Sequence, residues 1–170
     1  GLRPQDVVVL LRLVLARRNE WVIAEIAHGA CVSVSETHAA IQRLESCRLF
    51  DPATRRPIMA AVEEFLLVAL KYLFPAEASG KQARGMPTAH SAPPLCDRIV
   101  TDPHSVYVCP FGQSRGISIT PLYKTVPEAA QRDADMYEFL ALADAICIGR
   151  VRERELASEL LVARLRKSEG

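Results

Sequence analysis

Residues Gly112-Gln113-Ser114-Arg115-Gly116 spell a G-x-S-x-G pattern, which in an acyl-transfer enzyme presents a serine nucleophile on a sharp strand-to-helix turn. That chemistry needs an acid and then a histidine later in the chain, and a helix directly after the serine. No histidine follows His104, and ISITP after the motif reads as a strand, so the glycines read as turn residues instead. ASGKQARG resembles the tail of a phosphate loop, but the first glycine is missing and no Ser or Thr follows Lys81. It reads as a basic, solvated loop. His90, Cys96, His104 and Cys109 are zinc-ligand types without the tight CxxC or HxxxH pairing that zinc sites use. Cys109, beside Pro110, reads as a redox-sensing thiol or, more commonly for such a residue, as a buried inert one. No enzyme chemistry, cofactor or metal is expected.

The chain of 170 residues fits one domain, or one small domain with a substantial appendage. It is 49% apolar and 24% charged, enough for a core and unlike a disordered segment. The net charge of +1 excludes a globally basic footprint, so nucleic-acid binding must rest on local charge. The five cysteines form no CxxC pair and are odd in number, which favours reduced thiols over a disulfide framework. GLRPQD has no leader pattern, and Glu63, Glu64 and Lys71 interrupt the longest apolar stretch. A cytoplasmic protein without membrane partners is the expectation.

The elements follow from periodicity and punctuation. Pro4 and Asp6 suit the first turn of a helix over 4–17 that is apolar almost throughout. A short second helix runs from Trp21 to Ala30. Ser35 can cap a third, with Ala39, Ala40, Ile41 and Leu44 inward. After the loop DPATRRP, a central hydrophobic helix occupies 58–75, apolar nearly all round. Residues 76–105 read as a Pro/Ala/Ser-rich linker. SVYVCPF and GISITPLY read as a β-hairpin, and VPEAAQRD as a short helix or turn. Two helices, over 135–148 and 151–166, complete the region 106–170. The fold class expected is mainly α with a small β-hairpin: an N-terminal tri-helical unit over 1–57 and a helical C-terminal region.

The stretch VIAEIAHGACVSVSETHAAIQRLESCRLF, residues 22–50, carries the most information. Ile26-Ala27 puts a small residue where two helices must touch, and Val32 plugs the turn. Ser33 and Ser35 straddle the next helix start, and Leu49-Phe50 closes the unit. This order resembles the helix-turn-helix of bacterial winged-helix transcriptional regulators, the MarR-like group among them, over about residues 4–56. Cys31 stands where a glycine is common, and Arg48 where a glycine usually ends the recognition helix. The wing is reduced to a loop carrying Arg55 and Arg56.

The resemblance implies that the third helix reads DNA. Ser35, Glu36, Thr37, His38, Gln42 and Arg43 would face the major groove or its rim. Gln42 suits an adenine edge, Arg43 a guanine, and Glu36 a cytosine amine. Ser33, Ser35 and Thr37 suit phosphate oxygens, and Arg55 and Arg56 the flanking backbone or minor groove. The expected function is a homodimeric regulator that occupies an operator on double-stranded DNA. The alternative is a protein-interaction module, such as an antitoxin-like partner with autoregulatory DNA binding. In it, residues 76–170, including the extended GMPTAHSAPPL, would hold a cognate protein.

Overall fold

The computed structural model describes residues 1–100 and 103–167. The expected linker and C-terminal region extend over residues 101–102 and 168–170, which lie outside the described residues. Helix α1 (Pro4–Ala16) starts on proline, whose missing N–H would be unpaired there anyway. It is buried from Asp6 to Leu11 without interruption. A helix this apolar must be covered on several sides, and α1 packs against α2 (Ile23–Ala30), α3 (Val34–Ser46) and α7 (Ala134–Ile148). Ile26, Ala27 and Ala30 of α2, with Ala40, Ile41 and Leu44 of α3, close the N-terminal trio. Strands β1 (Phe50–Asp51) and β2 (Arg56–Pro57) then pair antiparallel, Phe50 opposite Pro57 and Asp51 opposite Arg56.

The apolar stretch after Pro57 forms one run of helix: α4 (Met59–Glu64), a π-helical segment (Phe65–Ala69) and α5 (Leu70–Leu73). The wider π turn keeps Val62, Leu66 and Leu70, four residues apart, on one buried face. The opposite face leaves Val68, Tyr72 and Leu73 more than half exposed. The expected central helix is therefore one-sided; α1 and α7 hold the centre.

Residues 78–87 form strand β3 (Ala78–Pro87), a correction to the expected linker. Its partners are β4 (Ser105–Val108) and β5 (Ser114–Ile119), both antiparallel to it. The expected β4–β5 hairpin is also corrected, because these two strands run parallel, Ser105 beside Ile117. Close backbone crossings make this possible. A Cβ on Gly85 would meet the Tyr107 carbonyl oxygen at 1.8 Å, and one on Gly112 would meet the Gly85 backbone at 2.1 Å. The fold is thus mixed α/β: the expected helical majority and N-terminal trio are present, beside small sheets in place of the single hairpin. Between the strands, Ala89, Ala92 and Leu95 enter the core from two short 3-10 turns.

Helices α6 (Val126–Arg132), α7 and α8 (Val151–Arg166) follow as expected. Asp133 caps α7 through the Met136 N–H, 3.0 Å away. The C-terminal helices clasp the N-terminal trio. Arg132 donates to the His28 carbonyl at 2.9 Å, Thr125 to the Ala30 carbonyl at 3.0 Å, and Arg12 pairs with Asp133 at 3.3 Å.

Candidate nucleic-acid interface

Helices α2 and α3 are joined by residues 31–33, and local backbone chemistry sets the joint. At the end of α2, Cys31 takes a left-handed conformation (φ 57°); its N–H donates to the His28 carbonyl and that of Val32 to Ala27. At the end of α3, Arg48 does the same (φ 63°), its N–H reaching Glu45 while that of Leu49 reaches Leu44 at 2.9 Å. Both ends are Schellman motifs, in which the left-handed position favours glycine. The two positions where the family resemblance expects glycine are thus the two positive-φ residues that terminate these helices.

Ser33, rather than Ser35, caps α3, accepting from the Glu36 N–H at 3.1 Å. Ser35 lies in the first turn, exposed, its hydroxyl 3.3 Å from that of Ser33. Glu36, His38 and Gln42 are exposed on the same helix, and His38 Nε2 lies 3.4 Å from Gln42 Nε2 one turn on. Two expected members of this face are corrected. Thr37 is fully buried and its hydroxyl donates back to the Ser33 carbonyl at 2.8 Å, so it offers nothing outward. Arg43 turns toward α1 and donates from Nε and Nη2 to the two oxygens of Asp6, each at 2.8 Å. Asp6 is fully buried, and its Oδ2 also accepts the Arg3 N–H at 2.8 Å. These bonds hold the Arg43 guanidinium above its ordinary pKa. The guanidinium expected to read guanine fastens α3 to α1.

Arg55 and Arg56 sit on the β1–β2 ribbon. Asp51 shapes its tip, accepting from the Ala53 N–H at 2.9 Å and the Thr54 hydroxyl at 3.1 Å. Arg55 has positive φ (57°) and lays its guanidinium 4.3 Å from the centre of the Trp21 ring. The Trp21 indole N–H donates to the Arg55 carbonyl at 3.3 Å. Arg56 donates to the Arg17 carbonyl. The ribbon is therefore pinned to the chain before α2, and both arginines remain exposed. A shallow groove of about 480 Å³ runs between α3 and the ribbon, with His38, Ile41, Trp21 and Arg55 among its walls.

The outward face of α3 is polar but not basic. Glu36 and Glu45 bring two carboxylates, and positive charge comes from its margins: Arg48 beyond the helix end, and Arg55 and Arg56 on the ribbon. Tyr123, from the β5–α6 connection, donates to Glu36 at 3.4 Å, and the Lys124 ammonium lies 5.8 Å from the centre of its ring. Sequence reasoning missed Asp6, Trp21 and Tyr123. Asp6 does serve as the first-turn acid the sequence indicates, accepting the Arg3 N–H; its second role as the partner of Arg43 had no local signal.

All five cysteines are free, and burial pushes the Cys147 thiol up to about 12. Ser114 of the G-x-S-x-G pattern begins β5. Among the described residues, no cluster of His, Cys, Asp and Glu is placed to hold a metal, and no helix is long and apolar enough to cross a membrane. Comparison of the chain with protein-family models, curated proteins and solved structures finds no match.

Proposed function

We propose that this protein is a DNA-binding transcriptional regulator, with α2 and α3 as a helix-turn-helix and the β1–β2 ribbon as a reduced wing. The observation that carries this reading is the exposed row Ser35, His38 and Gln42 on a helix capped at Ser33 and flanked by the exposed Arg55 and Arg56. An α-helix fits the major groove, where Gln42 and His38 can bond base edges. Ser33 and Ser35, at the helix N-terminus, suit phosphate oxygens. Glu36 and Glu45 repel phosphate, so the helix must enter with its polar row on the bases and leave backbone contact to the ribbon. Glu36 can accept from a cytosine amine in that pose. Thr37 and Arg43 have no part in the contact.

One such helix spans too few base pairs for tight binding, and regulators of this type use two half-sites. The exposed Val68, Tyr72 and Leu73 give a second copy an apolar surface to cover. Regulation acts by occupying an operator. The test is a fluorescence-anisotropy titration of the protein's own upstream region across a series of salt concentrations. The reading expects an affinity that falls linearly in log–log form with salt. A protein that binds every duplex alike, or none, contradicts it.

A further inference from the structure

A cavity of about 300 Å³ lies between the end of α5, the β5–α6 connection and α7. Leu70, Phe74, Leu122 and Leu140 make most of its wall apolar. Its charged lining residues are Asp144 and Glu77, both acids. Neither forms an ion pair among the described residues. Asp144 is 6% exposed, and its hydrogen bonds are one-sided. Thr88 donates to Oδ2 at 2.6 Å, and the buried Tyr107 hydroxyl donates to the same oxygen. Both hydrogen bonds given to Asp144 by the described residues end on Oδ2, and Oδ1 is not sealed off as a buried orphan. A buried carboxylate without a cation is costly, and its open oxygen asks for a charged donor. Lys71 and Arg154, the cations whose charges reach the neighbouring Cys147, are engaged elsewhere. Lys71 donates to the Leu67 and Val68 carbonyls, and Arg154 to those of Ile146 and Gly149.

We infer that this cavity is a binding site for a small apolar amine, its ammonium on Asp144 and Glu77 and its hydrocarbon part among Leu70, Phe74 and Leu140. The volume suits a ligand of this kind, since such sites are mostly apolar with a few convergent polar groups. The site is wired to α3. Thr120, Pro121 and Leu122 line it, and the next residues reach the N-terminal trio: Tyr123 to Glu36 at 3.4 Å, Thr125 to the Ala30 carbonyl at 3.0 Å. A ligand that displaces residues 120–122 acts on both sides of the α2–α3 turn. The amine site stands apart from the DNA-binding reading; the coupling rests on it.

The test is calorimetry on the full chain with three probes of one shape: 4-phenylbutylamine, 4-phenylbutan-1-ol and 4-phenylbutanoate. Saturable binding of the amine, at least tenfold tighter than the alcohol, with none of the carboxylate, is expected. Asp144→Asn and Glu77→Gln each reduce that preference at least threefold. Glu77 is exposed, so its variant keeps the charge test valid should the Asp144 variant unfold. Ala76→Trp, at the cavity wall, weakens both amine and alcohol. No saturable amine binding, or equal binding of amine and alcohol, overturns the site. In a second arm, saturating amine shifts affinity for the duplex of the protein's own upstream region at least threefold. An unchanged affinity overturns the coupling, and a protein that binds no duplex overturns the DNA-binding reading while calorimetry still decides the site.

Discussion

Arg43 of α3 donates from Nε and Nη2 to both carboxylate oxygens of Asp6 in α1, at 2.8 Å each, with Asp6 fully buried. A planar guanidinium fits a carboxylate in this two-pronged way as no other side chain does. The pair fixes how α3 stands on the core, and therefore which of its residues face outward. Arg43→Ala leaves a buried carboxylate without its cation, which costs about 3–5 kcal/mol. Gln42→Ala, one residue away and exposed, stays within about 0.5 kcal/mol. Urea denaturation of the two variants separates them. Equal stabilities contradict the anchoring role.

Cys31 and Arg48 hold left-handed conformations at helix ends. A side chain there costs roughly 1–2 kcal/mol, partly offset because glycine loses more entropy on folding. Cys31→Gly and Arg48→Gly are each expected to stabilise by about 0.5–1 kcal/mol, read as a higher melting temperature. Destabilisation by either would show that the side chain contributes more than its backbone strain removes.

Burial raises the Asp144 carboxyl from 3.8 to about 6, against the lowering effect of its bonds to Thr88 and Tyr107. The folded state then holds a proton that the unfolded state has lost between those values. Its contribution to stability is present at low pH and is lost as pH rises from about 4 to about 6, on the order of 3 kcal/mol in all. Glu63 has the opposite sign: Arg166 lowers its pKa, so its contribution fades as pH falls. Asp144→Asn keeps an acceptor for both hydroxyls and removes the titration. The difference in stability between variant and parent should move in the variant's favour by that amount from pH 4 to pH 7. A pH-independent difference contradicts the burial argument.

The single tryptophan, Trp21, lies against Arg55 on the ribbon. DNA binding that engages the ribbon therefore changes Trp21 emission. Arg55→Ala and Arg56→Ala each weaken binding and reduce the salt slope by about one. Intrinsic fluorescence and anisotropy read the two effects. Unaltered affinity in both variants removes the ribbon from the interface.

The legible part of the fold was the part with clear periodicity or caps. Helices α1, α2, α3, α7 and α8 could be placed because apolar spacing, Pro4, the serines near α3 and Gly149 mark them. Strand β3 was not legible. ASGKQARGMP lacks β-branched residues, and its pairing comes from backbone bonds to two neighbours far along the chain. The parallel β4–β5 arrangement depends on crossings at Gly85 and Gly112 that no local pattern announces. At the candidate interface, exposure of Ser35, His38 and Gln42 followed from the helical period. The fate of Arg43 did not, because its partner lies 37 residues away.

On the proposed reading, α3 recognises a defined DNA sequence. The most direct measurement is retention of sheared genomic DNA by the purified protein, followed by sequencing, beside the His38→Ala/Gln42→Ala double variant. A small set of enriched fragments sharing one short motif is expected, lost in the double variant while the thermal melt is unchanged. Retention with no shared motif, or a motif that the double variant retains equally well, would contradict it.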